Sequence, residues 1–127
     1  MGKYLTAESI LSADDFRYAD VDCPEWGGMV RVRSLSGGQR SVITQRVQDK
    51  ELEDLEETLT VMGCVNEDGE RIFTNKDIEK LKKKSNTPIA RIAKKIMELS
   101  GIGNAGEAVE NAKKNSAATT SDDSLYD

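Results

Sequence analysis

Apolar and charged residues alternate on both sides of a glycine-rich break early in the chain. Ala19, Val21 and Cys23 alternate with Asp20 and Asp22, and Val30 and Val32 alternate with Arg31 and Arg33. Pro24-Glu25-Trp26-Gly27-Gly28 between them reads as a turn. Period-two alternation flanking such a turn predicts a β-hairpin with one apolar and one charged face. Pairing opposite charges sets the expected register. Asp22 then faces Arg31, Asp20 faces Arg33, Val21 faces Val32, and Cys23 faces Val30. A slip of one residue would turn charge onto the core face. An isolated two-stranded ribbon is marginal in water, so helices must cover it.

The spacing then changes to three and four. Ser36 is a candidate N-cap, with Gln39 as its capping-box partner, for a helix carrying Val42, Ile43 and Val47. Leu52, Leu55, Leu59, Met62 and Val65 continue at helical spacing. The five-residue step from Val47 to Leu52 breaks the phase, predicting two helices that meet near residue 50 or one bent helix. Asn66-Glu67-Asp68-Gly69-Glu70 is a turn, and Arg71-Ile72-Phe73 leaves it extended. Thr74 with Asp77, and Phe73 with Ile78, combine a capping box and a hydrophobic staple at the start of a helix over residues 75–84. Thr87-Pro88 opens the next helix, with proline at its first position. Ile89, Ile92, Ile96 and Leu99 line its apolar stripe, and Gly101 closes it. At the front of the chain, Thr6 caps a short helix over Ala7–Leu11. Residues 104–115 have the pattern of a weak helix. Residues 116–127 are small, polar and acidic, the composition of a disordered tail.

These elements predict an α+β domain over residues 1–103, a β-hairpin packed on a bundle of about four helices, followed by the weak helix and acidic tail over 104–127. Composition narrows the chemistry. The 127 residues include no histidine, which removes Ser-His-Asp and Cys-His catalysis and histidine-ligated zinc. Cys23 and Cys64 are far apart in sequence, form no CxxC pair and read as reduced core residues. No apolar run approaches the roughly 18 residues of a membrane span, and Met1–Thr6 carries no secretory segment. A non-enzymatic protein without cofactor or metal is the expected class.

Several motifs invite sharper readings. Gly101-Ile102-Gly103-Asn104-Ala105-Gly106 spells GxGxxG, but it follows a helix where a dinucleotide site needs a preceding strand. It reads as a helix cap and linker. Asn66, Asp68 and Gly69 match the middle of a calcium loop whose first and last positions, Cys64 and Asn75, lack the required carboxylates. Residues 76–95 carry Lys76, Lys80, Lys82, Lys83, Lys84, Arg91, Lys94 and Lys95 against Asp77 and Glu79, a surplus of six positive charges. This run is either a nucleic-acid footprint or a solvated or docking face. No aromatic residue interleaves with it to stack on bases. The acids of residues 50–57 are either a metal-binding cluster or, more simply, the outer face of an amphipathic helix, and the two charged faces have a means of meeting within one molecule or between copies. Trp26 reads first as a core plug, by the area it would bury, and otherwise as a partner anchor.

The residues together resemble a known family. Tyr4-Leu5-Thr6-Ala7-Glu8-Ser9-Ile10-Leu11, the hairpin Val21–Arg33 with its Pro-Glu-Trp-Gly-Gly turn, the helix entry Leu35-Ser36-Gly37-Gly38-Gln39-Arg40, and Val65-Asn66-Glu67-Asp68-Gly69-Glu70-Arg71-Ile72-Phe73-Thr74 carry the likeness. The family is the tail assembly chaperones of long-tailed, siphovirus-type bacteriophages, in the short form encoded before the tape-measure protein. The resemblance implies a holdase in the host cytoplasm that coats the tape-measure protein until tail-tube subunits polymerise around it, and that is absent from the finished particle. It also implies a longer frameshifted form as partner, with Ala112-Lys113-Lys114-Asn115 as a candidate slippery stretch, and self-association along the client. Candidate client contacts are Trp26, Val42, Leu52, Leu55, Leu59, Met62, Ile89, Ile92, Ile96 and Leu99, unless the core consumes the two helical stripes. The competing reading is a small nucleic-acid-binding regulator using residues 76–95.

Overall fold

The computed structural model describes residues 4–102; the weak helix expected over 104–115 and the tail expected over 116–127 lie outside them. Strands β1 (Tyr18–Cys23) and β2 (Gly28–Arg33) form the expected antiparallel hairpin. Val21, Cys23 and Val32 are buried on one face, and Asp20, Asp22 and Arg31 are exposed on the other. The register differs from the charge-pairing expectation by two residues. Asp20 pairs with Arg31, Val21 with Val30, Asp22 with Met29 and Cys23 with Gly28. The cause lies in the turn. Pro24–Trp26 wind into one 3-10 turn, and Gly27 takes a left-handed φ of 83° while its N–H donates to the Pro24 carbonyl at 3.1 Å. Gly28 and Met29 therefore begin the strand instead of completing a loop. A two-residue slip leaves every side chain on its face, so alternation does not discriminate between these registers. Arg33, opposite Tyr18, stacks on Phe16 with its guanidinium 4.1 Å from the ring centroid.

The sheet has a third strand that helical spacing concealed. Helix α3 (Leu55–Gly63) stops two residues short of Val65. Cys64–Val65 form β3, antiparallel to β2, with Val32 opposite Cys64 and Arg31 opposite Val65. Val65 thus belongs to the sheet, not to the helical stripe. The chain then turns at residues 66–69. The Asn66 Oδ1 accepts from the N–H groups of Asp68 at 2.8 Å and Glu70 at 3.0 Å, and an isolated bridge joins Val65 to Arg71. This is turn chemistry, with the Asn66 side chain spent on backbone.

The helices start largely where the caps predict. Helix α1 spans Ala7–Ser12 behind a Thr6–Ser9 capping box. Helix α2 spans Gly37–Gln48, with reciprocal bonds from the Gln39 N–H to Ser36 Oγ (3.1 Å) and from the Ser36 N–H to Gln39 Oε1 (3.0 Å). Helices α2 and α3 are separate. The link between them holds two non-glycine residues at positive φ, Lys50 at 60° and Asp54 at 63°. Arg46 ties that link down, donating to the Glu51 carbonyl at 3.1 Å, to Thr58 Oγ1 at 3.1 Å and to the Glu53 carbonyl. The acidic stretch at residues 49–54 is accordingly a loop, and only Glu56 and Glu57 ride on a helix. Thr74 and Asp77 form their capping box, followed by a 3-10 turn and a short α4 (Ile78–Leu81). Helix α5 runs Asn86–Leu99, so Pro88 is its third residue, not its first. Gly101 ends it at φ 76°, and the Ile102 N–H reaches back to the Met97 carbonyl at 2.9 Å.

The apolar sheet face receives α2, α3 and α5. Val21, Cys23 and Val32 meet Ile43 and Val47 of α2, Leu55 and Leu59 of α3, and Ile92, Ala93, Ile96 and Met97 of α5. A smaller cluster gathers Val61, Leu81 and Ile89, with Phe73 and Ile78 packed on it as the staple predicts. The architecture is α+β, a three-stranded antiparallel sheet covered by helices.

Candidate interaction surface

The ten residues expected at a partner surface divide by burial. Leu55, Leu59, Ile89, Ile92 and Ile96 are inside the two cores, the last four with no exposed area. Leu52, Met62 and Leu99 are half-buried against the larger core. Burying a large aliphatic side chain stabilises by about 1.5–3 kcal/mol. Turning out the five buried residues would therefore cost roughly 7–15 kcal/mol, as much as the whole stability of an ordinary domain. The two helical stripes hold the fold together, the use their alternative reading assigned them.

Trp26 and Val42 are exposed, at 37 % and 48 %. Trp26 does not plug the core, because the 3-10 turn carries it out on the hairpin tip. Met29, two residues into the paired region, is exposed beside that turn. The tip is held from below by α5. The Arg91 guanidinium grips both Glu25 carboxylate oxygens at 2.9 Å and donates to the Asp22 carbonyl at 3.1 Å. Such a fork positions a turn in two directions at once. The Arg91 side-chain hydrogen bonds hold the Glu25 carboxyl down at about 2, well below the ordinary carboxylate range. Burial pushes up the thiols of Cys23 and Cys64, that of Cys64 to about 12, so neither is a nucleophile at neutral pH.

The sequence reading missed other apolar groups left outside. No residue of α1 is buried, and Tyr4, Leu5, Ile10 and Leu11 are exposed around it, as is Ile72 beyond the sheet. The available signal was negative. Tyr4, Leu5, Ile10 and Leu11 form two pairs rather than a three-four stripe, the pattern of a helix that a bundle covers.

The charged stretches are partly spent on each other. Lys80 pairs with Asp77, Lys82 with Asp54 at 3.1 Å and with Glu79, Arg91 with Glu25, and Lys95 with Glu98. Half of the eight basic residues between 76 and 95 are therefore engaged within the chain, and the acidic loop meets the basic helix through Lys82. Among the described residues no group of three or more histidine, cysteine or carboxylate side chains could hold a metal ion. No helix among them is long and apolar enough to cross a membrane.

The overall fold is similar to that of a solved structure. The bacteriophage HK97 tail assembly chaperone superposes with a TM-score of 0.55 at 22 % identity, over 72 % of this chain and 90 % of that one. The two chains share one fold. No family model and no curated protein matches this chain. At this identity the likeness to the HK97 chaperone rests on architecture, and the residues of the hairpin tip must be argued from their own geometry.

Proposed function

We propose that this chain is a tail assembly chaperone of a long-tailed phage, a non-enzymatic holdase that keeps the tape-measure protein soluble in the host cytoplasm until the tail tube grows around it. The observation that carries the reading is the shared chaperone architecture, joined to apolar side chains that the fold leaves in solvent. Trp26 and Met29 stand on a clamped tip, which lowers the ordering cost of using them as anchors. Val42 on α2 and the α1 residues Ile10 and Leu11 add further small apolar contacts. A long helical client offers many copies of one weak site, so modest contacts suffice when several chaperones bind along it. In this reading the tail-tube protein and a longer frameshifted product are the other partners. A slippery heptamer in the codons for residues 112–115 is the gene feature to look for.

Co-expression of the full chain with a tape-measure protein tests the proposal. The client is expected in the soluble fraction with wild-type chaperone and largely in the pellet with the Trp26→Ala, Met29→Ala variant. Trp26 is the sole tryptophan, so its emission should shift to the blue as the client covers it. A client that precipitates equally with and without the wild-type chain would refute the chaperone reading.

A further inference from the structure

The sheet has two outer edges, and the described chain closes one of them. At β3, Val65 bridges to Arg71, and the Ile72 N–H donates to the Cys64 carbonyl at 3.2 Å. The edge of β1 is left open. The Ser34 N–H donates to the Arg17 carbonyl at 2.8 Å, so Arg17, Ala19 and Val21 turn their backbone groups toward β2. Antiparallel pairing alternates, and the N–H and C=O groups of Tyr18, Asp20 and Asp22 therefore point away from the sheet. The Asp22 carbonyl accepts from Arg91 at 3.1 Å. Among the described residues nothing bonds to the others. An open edge of this kind is a template for one more strand.

The side chains along the edge say which strand fits. On the solvent face Asp20 and Asp22 are exposed, and no described cation lies within ion-pair distance of either. Arg31, across from Asp20, holds its guanidinium 4.6 Å from the Tyr18 ring centroid. On the other face Ala19 packs against the larger core and Val21 is buried in it. A second copy is a poor occupant. Antiparallel pairing of two β1 edges brings the aspartates of the two copies opposite or diagonal to one another, and like charges so placed destabilise a sheet. We propose that β1 takes up an extended segment of another protein, in which basic residues alternate with apolar ones, as an added antiparallel strand. The chain already displays the complementary pattern on the inner side of β1, as Val30-Arg31-Val32-Arg33 of β2. In the added strand the basic residues lie opposite Asp20 and Asp22, and the apolar ones lie beside Ala19 and Val21. Backbone groups supply the affinity and the alternation supplies the specificity. Trp26 stands in the turn beyond this edge, so a helical client and an added strand use separate surfaces.

A capped peptide, Thr-Val-Arg-Val-Arg-Thr, titrated into the isotopically labelled full chain tests the proposal. Amide exchange read by NMR is the first measurement. In the free chain the Tyr18 and Asp20 amides should exchange fast and those of Ala19 and Val21 slowly, and the peptide should slow Tyr18 and Asp20 by at least about tenfold. Backbone N-methylation at both arginines of the peptide, whose N–H groups face β1, should abolish binding. The same change at both valines should leave most of it. Asp20→Asn and Asp22→Asn should each weaken binding about twofold to fivefold, and glutamate in place of both arginines by at least about tenfold. No slowing at about millimolar peptide, equal binding of the glutamate peptide, or equal loss from either methylation pattern would overturn the proposal. So would concentration-dependent protection of the same amides without peptide, which would make a second copy the occupant. No readout involves the tape-measure client, so this proposal and the chaperone reading fail separately.

Discussion

Gly63→Ala tests how α3 and α5 are held together. Gly63 is the last residue of α3, and the next residue opens β3. A Cβ placed there would lie 2.5 Å from Ile96 Cδ1, 2.8 Å from Cγ1 and 3.1 Å from Cγ2. Ile96 is fully buried, so its side chain cannot swing into solvent, and two of the three clashing atoms are close to its own backbone. Overpacking of this kind costs about 1–3 kcal/mol. Alanine recovers at most about 1 kcal/mol over glycine in helix propensity, and less at a helix end. The net expectation is a loss of about 1–2 kcal/mol, with each kcal/mol lowering the melting temperature of a domain this size by about 4–8 °C. Urea denaturation should show a lower midpoint with an unchanged slope. Ile96→Val removes Cδ1, the nearest atom. In that background Gly63→Ala should cost about 1 kcal/mol less, a coupling that a double-mutant cycle reads directly. Wild-type stability for Gly63→Ala, or strict additivity with Ile96→Val, would refute the close-packing argument.

Three more outcomes follow from the geometry. The Glu25 carboxyl should titrate near 2 by NMR; because its folded value lies below the ordinary 4.5, the stability it contributes is present above about 4.5 and lost as pH falls toward 2, so the wild type's advantage over Glu25→Gln should vanish across that window, whereas a midpoint near 4.5 would mean the Arg91 fork is absent in solution. Cys64, with its thiol pushed up to about 12, should resist alkylation at pH 8 until the chain unfolds; the unfolded thiol ionises from about 9, so stability should decline above that pH, and rapid native-state labelling would contradict its burial. A double-mutant cycle on Asp20 and Arg31 should give about 0.2–1 kcal/mol of coupling, with less between Asp22 and Arg31; the reverse order would restore the charge-paired register in place of the observed one.

Local chemistry was legible in the chain. The Thr6, Ser36 and Thr74 caps, the glycine stop at 101, the break between α2 and α3 and the two faces of the hairpin all follow from interactions within about four residues or from a period of two. Tertiary contacts decided the rest. Alternation is blind to a two-residue slip, so the turn at Pro24–Gly27 chose the register. Helical spacing ran on past Gly63 to Val65, and only the open edge of β2 shows why Cys64 and Val65 are extended. Likewise, an apolar stripe has the same spacing whether it faces a core or a client. Packing against the sheet buried Leu59, Ile92 and Ile96, while the turn geometry and the Arg91 grip put Trp26 in solvent. Sequence determines where the chain bends and which side of each element is greasy; which greasy sides meet is settled by distances between residues far apart along the chain, which a local pattern does not contain.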